Sequence, residues 1–511
     1  MAKKHFPFLV LLCVAGFLYL YNHTGSLQPW DEAWYGAITQ NMIKSNNPFV
    51  LEYNQHPFYD HPPFGFQLKA LSMLVLGRST LAIRLPEIVA GLLALVALYR
   101  TGTTVSSKWA GVWAGIILLT SRWFLFRARL GNLDILLVTT QLWTVTALFE
   151  MLSKKRRSMR SQTTISLLRN HAWFVLMFFF LSLSILSKAL ISLQLVPLVT
   201  LAGLYYIYTH KLDLKSVTVL ILSAVVALIG PLLPWIVANS LVDSTEFIET
   251  LKTIGLRSNT TKAIRIEYIQ TVVTYTRAAM HTWFKIGAIT ILISLPLLLI
   301  KKHRATFFFL LVYVFLAFAP YLISEKTEIW HLLPGIAALS LLIGVALDVS
   351  IAVISKKCQK ILSVFLPQIS KHITVLLKVG LSLSILTIAT LNIKNYWSEF
   401  LHVYQYPSDY EKITWHIPYK NKPLYTTTDA YFPGLVFYAN LDNQPVLYFS
   451  DSEDLQVCQE MIAANTPLQI VSRYGDWVMD RLGDTYLISR EGDLVLTVLS
   501  PEVCKEYVVT K

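Results

Sequence analysis

Charge is scarce in this chain of 511 residues. Asp, Glu, Lys and Arg together make up 15% of it, against roughly a quarter in a soluble domain, while 54% of its residues are hydrophobic. That balance excludes an ordinary soluble protein and makes a polytopic membrane protein the leading class. Cysteine is scarce as well. Cys13, Cys358, Cys458 and Cys504 are too few and too scattered for a disulfide framework, although the last two share one polar tail. If the tail lies outside the cytoplasm, a Cys458–Cys504 bridge and two free thiols both stay open.

Several motifs are missing too. No HxH, HExxH or CxxC spacing supports a metal site, and no Walker or GxGxxG loop is present. An ATP-driven pump and a nucleotide-sugar enzyme with a soluble Rossmann domain are thereby disfavoured. The cofactor stays unassigned, and a divalent metal has no motif behind it. Long-period repeats and low-complexity segments are also absent.

Long apolar runs are what the chain has in abundance. A hydrocarbon core of about 30 Å needs about 20 apolar residues per helix. Windows of that kind fall at about 6–22, 83–103, 109–126, 133–153, 171–187, 190–209, 216–238, 283–300, 305–323, 331–354 and 373–394, which predicts about eleven transmembrane helices. The N-terminus has the lysines and apolar core of a signal peptide but no convincing small-x-small cleavage site, so it reads as a retained first span. The formal net charge of +13 gathers in the short loops holding Lys154 to Arg160, Lys211 and Lys215, Lys301 to Arg304, and Lys356 to Lys360. With eleven spans these loops fall on one side, the cytoplasmic one by the positive-inside rule, together with the N-terminus. That patterning accounts for the charge without nucleic acid, and an odd span count puts the tail outside.

Residues 1–395 therefore read as a transmembrane domain and 396–511 as a small extracytoplasmic α/β domain, in which β-rich runs such as "LQIVSR" and "LVLTVLS" alternate with polar turns. The first outer segment, 23–82, contains "EAWYGAITQNMIKS" and "PPFGFQLKALSMLVLG", which read as amphipathic helices along the membrane surface.

The ionisable residues that invite chemistry lie on the outer side. Asp31 and Glu32 sit between Trp30 and Trp34, where interfacial aromatics would partly dry them; a desolvated carboxylate is a good general base, and a merely solvated pair is the plainer reading. "ARLGNLDILLV" supplies Arg127, Arg129 and Asp134, the last of these at a helix start where simple capping competes. Lys188, Arg84 and Arg257 extend the set of cations on a face where basic residues are usually sparse. Arginine suits bidentate phosphate recognition and lysine acts as a point charge, so an anionic lipid headgroup would account for them together; ordinary lipid phosphates would as well. His61, in "YDHPPFG", would pair with phosphate when protonated, and "EKTEIWHLLPG" adds Lys326 and His331.

Taken in order, the acid pair, "DHPPFGFQL", "GRSTLAIRLPEIVAGLLALVALYR", "ARLGNLDILLV", "LSKALISLQLVP" and "EKTEIWHLLPGIAAL" resemble the polyprenyl-phosphate-sugar-dependent glycosyltransferases of the GT-C fold. The nearest groups are the dolichyl-phosphate-mannose protein mannosyltransferase superfamily and the bacterial aminoarabinose lipid A transferases, over roughly residues 25–350. The resemblance implies an integral membrane hexosyl- or pentosyltransferase. It would take a sugar from a polyprenyl-phosphate donor to an acceptor hydroxyl of a glycolipid, protein or cell-wall polymer at the non-cytoplasmic face, with inversion. It further implies Asp31 as base, Glu32 as its support, Asp134 as a second acid, and Arg129, Lys188 and Arg257 on the donor phosphate; the residues themselves add Arg127 and His61 as candidates for the same phosphate. Relatives usually carry an acid-lysine pair before the two prolines, where this chain has Asp60 and His61. A lipid or sugar transporter or flippase, and a polymerase or ligase using a polyprenyl-diphosphate donor, are the alternatives. The clustering of ionisable residues at one face, rather than at mid-span, speaks against transport.

Overall fold

A computed structural model describes residues 2–22, 24–28, 30–153, 171–256, 265–365, 367–402, 406–442, 444–450, 454–478 and 487–510. The chain divides into two compact units. One is helical and comprises residues 1–21, 59–65 and 85–400; the other, which we call the mixed unit, comprises 22–58, 66–84 and 401–511.

Six helices among the described residues are long and apolar enough to cross a membrane, or up to eight if each of two bent pairs counts as one span. The eleven expected spans are thus not confirmed as a number. Each apolar window does fall on helix, but several helices are short or broken. The window at 109–126 is split into Lys108–Leu119 and Arg122–Arg127, where Thr120 leaves helical geometry. Residues 190–209 begin as a 3₁₀ segment, Ala189–Leu195, before Val196–His210.

Small residues let backbones in the helical unit approach closely, the usual device where lipid removes the hydrophobic drive between helices. A Cβ on Gly111 would lie 2.6 Å from the Tyr99 backbone, and one on Gly344 would lie 2.4 Å from the Ala110 carbonyl oxygen. Polar ties reinforce the contacts. Asp348, on Leu333–Phe365, pairs with Lys378 at 2.7 Å and accepts from Ser106 Oγ at 2.7 Å, and Trp283 Nε1 donates to Thr120 Oγ1 at 3.0 Å.

The mixed unit is built on a five-stranded sheet. Its strands are β3 (Leu424–Thr426), β4 (Val446–Tyr448), β5 (Leu468–Arg473), β6 (Leu487–Glu491) and β7 (Leu494–Leu499), in the order β4-β3-β5-β7-β6. The β3 pairings are parallel, whereas β5–β7 and β6–β7 are antiparallel. Helices Asp454–Ala463 and Pro501–Thr510 bring Cys458 and Cys504 together as buried thiols with sulfurs 3.0 Å apart.

Two earlier pieces of chain join this unit. Helix Asp31–Ser45 packs Ala33 and Ala37 with Met73, Ile83 and Phe437, while β1 (Glu52–Tyr53) and β2 (His56–Pro57) form a short antiparallel ladder behind it. Gly36 is required there, because a Cβ would meet the Phe437 ring at 2.8 Å.

Candidate active site

In the helical unit, three of the expected residues converge. Asp134 is buried at the start of helix Asp134–Ser153. Its Oδ1 accepts from Lys188 Nζ, and its Oδ2 lies 3.4 Å from Arg127 Nη1. Two cations thus share one carboxylate, leaving a net positive charge in a confined place. The Arg127 guanidinium also stacks over the Trp330 ring, 4.2 Å from its centroid, and Trp123 packs against Trp330 at 5.8 Å. Cation–π contact of this kind holds the guanidinium plane in one orientation. Lys188 is the more accessible of the two cations, with 17% of its side chain exposed against 5% for Arg127.

The carboxylate is held in position from behind. Glu87, buried in helix Thr80–Val105, accepts from the Ile135 and Leu136 amides at 3.1 and 3.0 Å. These are orphan N–H groups of a first helical turn, and an anion there is favoured by the helix dipole as well. Glu87 is a residue the sequence reading passed over. The available signal was a lone acid within the apolar run "LPEIVAGLLA". The Pro-Pro motif also bears on this helix start: a Cβ on Gly65 would lie 2.3 Å from the Leu133 side chain, beside Asp134. Asp60 and His61 stand just before it, half-buried. His331 closes the capping box of the turn Ile329–Leu332, with Nδ1 accepting from the Glu328 amide at 3.2 Å and the ring stacked on Tyr321.

Arg129 takes another direction. It is buried, and Nη2 donates to the Tyr21 carbonyl oxygen. Arg257 lies outside the described residues.

Asp31 and Glu32 belong to the mixed unit and behave differently from each other. Asp31 is half-buried in the first turn of helix Asp31–Ser45. Glu32 is fully buried and takes a bidentate ion pair from Arg84, with Nε–Oε1 at 2.7 Å and Nη2–Oε2 at 3.0 Å, and it caps the Gln28 amide at 2.8 Å. Arg84 donates further to the Gly25 and Ser26 carbonyl oxygens at 3.1 and 2.7 Å, so its guanidinium is directed inward and not toward a ligand. Trp34 and Tyr35, expected at a membrane interface, pack inside the unit: Trp34 against Tyr53 and Phe58, Tyr35 edge-on to Phe66. Trp30 keeps 58% of its surface exposed. Lys69, fully buried with its ammonium 6.0 Å from the Tyr35 ring centre, is a second residue the sequence reading missed.

Comparison with known proteins adds a family context. The family model for dolichyl-phosphate-mannose-protein mannosyltransferase matches residues 60–235. The putative mannosyltransferase YkcB of Bacillus subtilis (strain 168) is 24% identical over 231 residues, which make up 44% of this chain and 30% of that protein. The match thus spans less than a third of the curated relative. The crystal structures of ArnT from Cupriavidus metallidurans, apo and bound to undecaprenyl phosphate, superpose with TM-score 0.70 at 17% identity. They cover 98% of this chain and 99% and 98% of theirs. The archaeal oligosaccharyltransferase AglB from Archaeoglobus fulgidus, in complex with an inhibitory peptide and a dolichol-phosphate, follows at TM-score 0.54 and 14% identity, over 93% of this chain and 70% of its own. With its apolar spans and this whole-length likeness, the chain is a multi-pass membrane protein that has the GT-C fold.

Proposed function

We propose that the protein is an integral membrane glycosyltransferase that moves a sugar from a polyprenyl-phosphate donor to an acceptor hydroxyl at the non-cytoplasmic face. The observation that carries this reading is the Asp134–Lys188–Arg127 cluster, in which two cations face one buried carboxylate and keep a net charge of the sign a departing phosphate requires. The Cupriavidus structure with bound undecaprenyl phosphate supports the donor class. Within residues 1–395, the segments 1–21, 59–65 and 85–395 carry the membrane part in this proposal. Residues 396–511 form the outer domain, joined by segments 22–58 and 66–84; the N-terminus is cytoplasmic and the tail extracytoplasmic.

The reaction needs little machinery, because a polyprenyl phosphate is already a leaving group. Asp31 takes the proton from the acceptor hydroxyl, the alkoxide oxygen attacks the anomeric carbon with inversion, and the sugar-phosphate C–O bond breaks with its electrons passing to the phosphate. Lys188 and Arg127 stabilise that developing charge, helped by Arg129, Arg257 and His61. Asp134 holds both cations in place. Glu32 acts on Asp31 indirectly, fixing the helix start through Arg84.

Purified protein with a polyprenyl-phosphate sugar tests this. Asp31→Asn should abolish transfer while donor binding persists, and Lys188→Ala should weaken donor binding. Full transfer by Asp31→Asn refutes the base; unchanged donor affinity in Lys188→Ala refutes the phosphate site.

A further inference from the structure

The mixed unit contains a cavity of about 310 Å³ that none of this chemistry uses. Helix Asp31–Ser45, the β1–β2 hairpin and the residues Val436, Asn440, Leu441, Gln444 and Val446 form its walls. Ligand pockets run from roughly 300 to 1,000 Å³, so this one is sized for a single small ring and not for a lipid tail.

Its lining is dominated by carboxamides: Gln40, Asn41, Asn54, Gln55, Asn440 and Gln444 are six of the twelve lining residues. A carboxamide is donor and acceptor at once, as is every hydroxyl of a sugar. Lys44 and Glu52 supply one charge of each sign, which nearly cancels and disfavours an anion. This contrasts with the paired cations around Asp134. Val436, Leu441 and Val446 add a small apolar wall suited to the C–H face of a pyranose ring.

The cavity is also built in advance. Asn54 exchanges two hydrogen bonds with Val446, donating from Nδ2 to the carbonyl oxygen at 2.6 Å and accepting from the amide at 2.8 Å. Asn41 Nδ2 donates to the Glu52 carbonyl oxygen at 3.2 Å, and Lys44 Nζ to that of Leu441 at 2.9 Å. Asn54, Gln55 and Asn440 all have positive φ, at 51°, 71° and 46°, so tight left-handed turns present the polar groups. Among the described residues, the carboxamides of Asn440 and Gln444 and the Glu52 carboxylate make no hydrogen bond or ion pair with protein, and all three residues line the cavity.

We infer that this cavity binds one neutral sugar residue of the acceptor, which makes the acceptor a glycan or glycolipid. The inference rests on the glycosyltransferase reading for the word acceptor, but sugar binding itself does not. A peptide would also complement amides; the ring-sized volume and the apolar wall favour the sugar.

The test is saturation-transfer NMR on the full chain in lipid nanodiscs free of sugar detergents. The probes are methyl glucoside, galactoside, mannoside and N-acetylglucosaminide, against triglycine and inorganic phosphate. At least one glycoside should bind, and triglycine and phosphate should not. Affinity should fall about tenfold in Gln444→Trp, which fills the space. It should fall severalfold in Asn440→Gly, which removes the carboxamide while glycine keeps the left-handed turn. Lys188→Ala should bind the glycoside as the wild type does. Binding of triglycine alone, or glycoside binding indifferent to both cavity variants, overturns the inference. Glycoside binding lost in the cavity variants, with no transfer from any polyprenyl-phosphate sugar, leaves the cavity standing and removes the enzyme reading. Transfer without glycoside binding does the reverse.

Discussion

Removing the Glu32 carboxylate should open the start of helix Asp31–Ser45. Glu32 and Arg84 both have fully buried side chains, and in Glu32→Ala the guanidinium would keep its two carbonyl bonds but lose the two to carboxylate oxygens at 2.7 and 3.0 Å. Hydrogen bonds to charged groups contribute about 1.5–3 kcal/mol each, so two amount to about 3–6. That agrees with the roughly 3–5 kcal/mol measured when one member of a buried pair is removed. The cap on the Gln28 amide is lost as well. Hydrogen exchange of the amides in Asp31–Ser45, read by mass spectrometry, reports the change locally. With tenfold per about 1.4 kcal/mol, exchange should accelerate by about 10² to 10⁴-fold. Glu32→Leu combined with Arg84→Met, which replaces the pair with apolar groups, should recover most of the protection. Exchange within about threefold of wild type in Glu32→Ala would refute the claim that this pair holds the segment presenting Asp31.

Three further outcomes follow from the packing and titration. Mild oxidation should join Cys458 to Cys504, seen as an intact mass lower by two hydrogens, and closing a loop with a separation of 46 residues should stabilise the mixed unit by about 4 kcal/mol; an unchanged mass would refute the pairing. Gly111→Ala should cost about 1–3 kcal/mol by pressing a methyl into the Tyr99 backbone, and a thermal midpoint equal to wild type would remove that contact from the account. Burial pushes the Tyr53 and Tyr438 hydroxyls well above their ordinary pKa of 10.0, so each phenol ionises first in the unfolded chain. Their contribution is therefore complete below pH 10 and is lost at about 1.4 kcal/mol per pH unit for each tyrosine as the pH rises above it. Tyr53→Phe should flatten the alkaline unfolding profile, and an unaltered slope would contradict the assignment.

Local pattern alone determined a good deal here. Each apolar window falls on helix, because about 20 consecutive apolar residues leave the backbone no partner in lipid but itself. "LQIVSR" and "LVLTVLS" pair as β5 and β7, while the three-residue β3 in "PLYTTT" was too short to carry a period. The order of the motifs pointed to the GT-C fold. Whether a run spans in one piece was not read from the apolar windows: Thr120 leaves helical geometry between two helices, and Asp243 interrupts another by accepting from the Thr245 and Glu246 amides.

Pairings distant in sequence belonged to the tertiary structure. Glu32 and its partner Arg84 are 52 residues apart, and Glu87 caps amides 48 and 49 residues away. Composition shows only that such charges exist; their roles follow from what each meets when buried. The two adjacent acids that looked like a unit separate on that ground, Glu32 into an internal ion pair and Asp31 into a half-buried helix start. Spacing carried the helices because they bond within themselves, whereas the fate of each charge waited on folding, which alone brings distant partners within reach.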